Sequence, residues 1–210
     1  MNPSPPCPHA AGSAQLADPF VRDTIRWLER AVIGLNLCPF AKGVHVKGQV
    51  HYAVALTDDP GVVLDLLRDE LTRLVSTAAE VRDTTLLILP RCLPDFLDFN
   101  DFLADAEALL ENLELDGTLQ IASFHPQFQF AGTDVDDATN CTNRSPYPTL
   151  HLLREESIDR AVEAFPQAEM IFERNMEVLQ ALGLQGWQAL DVGAHEGKSA
   201  PAMAGEGAAQ

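Results

Sequence analysis

Residues 84–90 read Thr-Thr-Leu-Leu-Ile-Leu-Pro, an apolar run with no polar interruption after its first two positions. A strand with one wet face alternates apolar and polar side chains, so an unbroken run predicts a strand covered on both faces. Cover of that kind requires helices above and below a sheet. The neighbouring sequence supplies them. Asp59-Pro60 opens a helix through Val63, Leu67, Leu71 and Leu74, and after the run Phe99, Phe102, Leu103, Ala106, Leu109, Leu110 and Leu113 form another stripe.

The same signals recur along the chain. Asp18-Pro19 supplies an N-cap followed by proline, and Val21, Ile25, Leu28, Val32 and Leu35 recur every three or four residues in a first helix that should stop before Pro39. "VHVKGQVHYAVAL" has two apolar runs about Lys47-Gly48-Gln49, which suits a hairpin of a short strand (44–46) and a longer one (50–56). "TLQIASF" (118–124) is a further strand, followed by a polar loop of about two dozen residues and by helices near 149–164 and 167–182. The expected fold is a single α/β domain over 18–190: a small, mostly parallel sheet of three to four strands with a possible N-terminal hairpin, flanked by about five helices. Segments 1–17 and 191–210, rich in Pro, Ala, Ser and Gly, are expected to be disordered tails because they can bury too little to offset their ordering entropy.

Charge narrows the function classes. The 14 Lys+Arg against 31 Asp+Glu give a formal charge of −17, which repels nucleic-acid backbones. No run approaches the ~20 apolar residues of a membrane span, and the first residues lack a signal-peptide pattern, so a cytoplasmic protein without membrane association is expected. Four cysteines without a CxxC pair read as free thiols. No metal site is expected, since neither HxxxH nor paired CxxC occurs; no glycine-rich phosphate loop or nucleophile elbow is present either, which leaves any cofactor unknown.

The chemistry-bearing residues concentrate in three phrases. On a helical wheel starting at Leu150, Arg154 falls among Leu153, Ile158, Ala161, Val162 and Phe165, with His151 at the edge of that arc. An arginine on an apolar face needs an acceptor, either a structural carboxylate or a bound anion. Asn140, Asn143, Arg144 and Ser145 precede the expected helix start, where free N–H groups favour an anion, although plain capping accounts for Ser145. Arg144 opposes the helix dipole there unless something negative lies close. His125 stands where the 118–124 strand ends, as a proton-transfer group or as a strand terminator. Cys38, in "LNLCPFAKG", follows a helix; it is a buried thiol or, with a cation such as Lys42, a nucleophile.

The phrases "TIRWLERAVIGLNLCPFAKGV", "FHPQFQFAG" and "NCTNRSPYPTLHLLREESIDRAV" together resemble the bacterial family catalogued as domain of unknown function fourteen-fifteen, over about residues 20 to 185. The resemblance implies that the three phrases belong together and implies no catalytic role for any of them. The residues themselves suggest a small-molecule enzyme at the carboxyl edge of the sheet. In it Arg144 and Arg154 hold an anionic group, Asn140, Asn143 and Ser145 orient it, His125 or His151 moves a proton, and Cys38 is the outside candidate for nucleophile. Two alternatives stand beside it: a non-catalytic protein that binds an anionic metabolite, and a purely structural clasp pinning the long loop to the sheet through Arg–Asp pairs with Asp134, Asp136 or Asp137.

Overall fold

A computed structural model describes residues 18–164 and 170–195. The first helix, α1 (Pro19–Trp27), is capped by Asp18, whose carboxylate accepts from Phe20 N–H at 2.8 Å, and runs on into π-helical turns (Leu28–Ile33). A short α2 (Ala41–Val46) leads into β1 (Val50–Val54); then follow α3 (Pro60–Ser76), β2 (Thr84–Ile88), α4 (Phe96–Asn112) and β3 (Leu119–Phe124). A 3₁₀ helix (Ala138–Asn143) lies within the long loop, and β4 (Thr149–Arg154), α5 (Glu155–Glu163) and α6 (Ile171–Ala189) complete the described chain. No described helix is long and apolar enough to cross a membrane.

The expected hairpin does not form. Residues 41–46 are helical, and the Lys47-Gly48-Gln49 turn ends that helix: Gly48 takes φ +70°, a glycine-favouring geometry, and donates to His45 O at 3.0 Å. The second correction is larger. Residues 149–154, read as the opening of a helix, form a strand, and the helix begins only at Glu155, where Glu155 and Glu156 suit its positive end.

That strand changes the sheet. The order is β1-β2-β4-β3, with β1 parallel to β2 and β4 antiparallel to both of its neighbours. β1, β2 and β3 therefore share one direction, as helical crossovers require. β4 enters between β2 and β3 the other way, so the sheet is mixed rather than mostly parallel.

Alternation sorts side chains onto two faces. One face carries Ala53, Leu87, Leu150, Leu152, Leu119 and Ile121 and packs on α3 and α4 through Val63, Leu67, Leu71, Phe99 and Ala106. The other carries Tyr52, Leu86, Ile88 and Phe124 and packs on α1 and the π-helical turns through Val21, Trp27, Leu28 and Ala31. β2 is buried at every position, as its unbroken apolar run requires. Residues 191–195, expected to belong to the C-terminal tail, are packed on the domain: Val192 is buried and Arg26 Nε donates to Asp191 O at 2.9 Å. Segment 1–17 and residues 196–210 lie outside the described residues.

Candidate functional site

The long loop after β3 is wired to itself and to the sheet. His125 is fully buried, its ring packed against Phe96 and Phe99 at 5.5 and 5.2 Å between centroids. Gln127 N–H donates to its Nδ1 at 3.0 Å, which leaves Nε2–H to donate to Leu93 O at 3.2 Å. Both nitrogens are thus engaged in a neutral ring, and burial lowers its pKa. His125 terminates the strand and holds the loop.

Asn143 closes the outer edge of β3, accepting from His125 N–H at 3.1 Å and donating from its side chain to Ser123 O at 3.1 Å. Buried Asn140 uses Oδ1 for Phe130 N–H and Thr133 Oγ1 at 3.0 and 2.9 Å, and Nδ2 for Asp134 O at 2.9 Å. Arg144 donates to the carbonyls of Phe128 and Val135 at 3.2 and 2.8 Å. Ser145 Oγ donates to Tyr147 O at 2.6 Å. Apart from Thr133 Oγ1 and the Cys141 sulfur beside Arg144, these partners are backbone groups rather than the aspartates that a clasp was expected to use, and they satisfy a loop that would otherwise leave polar groups unpaired.

Arg154 lies elsewhere. Its guanidinium donates to the carbonyls of Leu74, Thr77 and Arg82, holding the carboxyl end of α3. In register it sits opposite Leu119, six residues before His125, so ~20 Å of strand separates it from that imidazole at ~3.3 Å per residue. His151 falls on the other face of the sheet, the face of Phe124, whose ring centre is 6.2 Å away. Its Nε2 is 2.6 Å from Thr84 Oγ1, whose own proton goes to Leu152 O at 2.6 Å, and burial pushes the imidazole pKa down to about 4. The expected meeting of His125, His151 and Arg154 around one ligand does not occur.

Cys38 sits between the π-helical turns and α2. Its sulfur faces the N–H groups of Phe40 and Ala41, but burial outweighs them and raises its pKa. Cys92 and Cys141 are buried free thiols, likewise raised by burial. Among the described residues, no three His, Cys, Asp or Glu side chains cluster as a metal-ligand set.

The larger of two described cavities opens elsewhere, beside the outer edge of β1. This hollow of about 390 Å³ lies between α1 and α3, with Asp18 and Val21 on one wall and Leu66, Glu70 and Arg73 on the other. His51 lines it from β1, its Nε2 3.8 Å from Glu70 Oε2. Glu70 is buried, its side chain 6% exposed, and its carboxylate takes Arg73 at 2.6 Å on one oxygen and Arg82 on the other. Arg82 in turn donates to Thr85 Oγ1. The His51 pKa is lowered by burial and then by the Arg82 charge, with Glu70 opposing. A smaller hollow of about 190 Å³ lies by Asn36, Pro39, Arg174 and Asn175, and neither cavity is lined by His125, His151 or Cys38.

Sequence reasoning passed over His51, Glu70 and Arg73. The signal was present, because Glu70 falls on the buried stripe Val63-Leu67-Leu71-Leu74 and, like any carboxylate there, demands a cation.

The chain belongs to the family described as protein of unknown function DUF1415, whose model matches residues 20–189. No curated protein and no solved structure matches it.

Proposed function

We propose that the protein binds a small carboxylate-bearing molecule in the hollow beside β1, with Arg73 taking the carboxylate and His51 next to it. The carrying observation is the convergence of His51, Glu70 and Arg73 at an accessible hollow, with two cations, Arg73 and Arg82, around one buried carboxylate. The Arg73 side chain is 58% exposed and has five donors, more than its contacts with Glu70 and Asp69 use. The anion-binding role expected of Arg144 and Arg154 moves to Arg73. Asn140, Asn143, Arg144, Ser145, Arg154 and His125 then serve as scaffold, each of them hydrogen-bonded to backbone groups.

A second reading, catalysis at the same place, draws on His51 itself. Its lowered pKa keeps the imidazole neutral and able to accept a proton at neutral pH, and it is partly open to solvent. In that reading a His51→Gln variant retains ligand and loses turnover.

The binding reading is tested by following the His51 Hε1 resonance while succinate or acetate is added. A saturable shift that disappears in Arg73→Met is expected. An unmoved resonance in the wild-type protein ends the proposal.

A further inference from the structure

The inner edge of β1 pairs with β2, and among the described residues its outer edge has no backbone partner. Gln49 O accepts from Thr84 N–H at 3.4 Å and Ala55 N–H donates to Ile88 O at 2.9 Å, so odd-numbered residues of this strand point their backbone groups toward β2. Val50, Tyr52 and Val54 therefore point their N–H and C=O groups outward, along the edge of a strand that ends the sheet. β3, the strand at the opposite edge, is treated differently, since Asn143 covers Ser123 O and His125 N–H there. A bare edge is a template for another strand. Here it forms the floor of the hollow described above, with one wall from α1 and the other from α3.

Resting on the carboxylate reading, we propose that the ligand is the free C-terminal end of an extended peptide, added antiparallel to β1 with its α-carboxylate at Arg73. Three observations converge on this occupant. Val50, Tyr52 and Val54 offer a ladder spaced for a backbone. The hollow flanks that edge with a wall on each side, Asp18 and Val21 on one and Leu66, Glu70 and Arg73 on the other. Among the described residues Arg73 is the one arginine or lysine lining the groove, and it stands at the His51 end, where Glu70 lies 3.8 Å from the ring and holds Arg73 at 2.6 Å. His51 is near the amino end of β1, so an antiparallel chain finishes there and a parallel one begins there. Charge complementarity thus fixes both the polarity and the terminus, because an α-carboxylate meets Arg73 only in the antiparallel arrangement.

The test uses the full chain and a bead-displayed pool of randomised hexapeptides with free C-termini, alongside the same pool as C-terminal amides. Peptides selected from the free-acid pool are expected to bind at least tenfold more tightly than their amides. They should lose at least tenfold in Val54→Pro, which deletes one outward N–H and leaves the β2 ladder intact. Methylating alternate peptide nitrogens in a selected binder makes the same deletion from the ligand side, on unaltered protein, and is expected to abolish binding in one of its two registers. Equal binding of acid and amide, indifference to both backbone deletions, or an empty free-acid pool overturns the peptide assignment. A concentration-dependent dimer abolished by Val54→Pro would give the edge to a second copy and also overturn it. The succinate shift at His51 separates the two readings: if it persists while peptides fail, only the peptide falls, and if it is absent, the carboxylate site falls with it.

Discussion

Replacing Arg154 with Met decides whether this arginine is a fastener or an anion receptor. Methionine keeps most of the aliphatic stem and removes the guanidinium, so packing changes little. The loss comprises hydrogen bonds from one charged nitrogen to the carbonyls of Leu74, Thr77 and Arg82, which share a single donor group and so do not add in full. Charged hydrogen bonds contribute ~1.5–3 kcal/mol net, and attraction to a helix carboxyl end adds ~0.3–1 kcal/mol. Against this, Nε–H is buried without a partner, and its removal returns roughly 1 kcal/mol. The balance is a destabilisation of about 2 kcal/mol, or ~4–8 °C in Tm for a domain of this size. Urea unfolding followed by far-ultraviolet circular dichroism measures it, with the m-value expected to stay constant. A variant within ~0.5 kcal/mol of wild type, or more stable than it, would refute the reasoning: an arginine kept for an absent anion is an unpaired cation whose loss helps the free protein.

Other consequences follow from the buried titratable groups. With its native pKa near 4 against ~6.5 when unfolded, His151 protonates first in the unfolded chain as pH falls. Its contribution is intact above about pH 6.5 and declines toward pH 4 by up to ~3 kcal/mol; His151→Gln should flatten that part of the stability profile, and an unchanged slope in urea titrations at pH 6.8 and 4.5 would contradict the burial argument. The thiols of Cys38, Cys92 and Cys141, raised by burial, should react with Ellman's reagent at pH 7.5 at least ~10-fold more slowly in native protein than in urea, measured in a Cys7→Ser background. Rapid labelling of Cys38 in the native state would return it to candidacy as a nucleophile.

From β1 to β3 the order of strands and helices was legible because each element carries a redundant local signal, whereas residues 41–46, expected to hold a strand, are helical. β2 is an unbroken apolar run, α3 and α4 are capped by Asp59 and Asp95 and striped on one side, and β3 is bounded by turn residues. Residues 149–154 carry no such redundancy. Leu150, Leu152 and Leu153 satisfy a helical period and a strand period over the same six positions, and the acidic pair that starts α5 comes just after them. Glu70 was overlooked for a related reason: its cation partners Arg73 and Arg82 stand three and twelve residues away, and only folding shows that both reach it.

The amino-acid sequence by itself determined that a doubly covered sheet forms, that helices α3 and α4 cover it, and that a long loop follows Phe124. Tertiary structure alone decided that residues 149–154 enter between β2 and β3, because an opening between two strands can be filled only by backbone that pairs on both sides. That choice set the fate of the polar cluster. Residues three apart share a side of a helix but stand on opposite sides of a strand, so His151 and Arg154 part company, and the imidazole that lines the larger hollow with an arginine is that of His51.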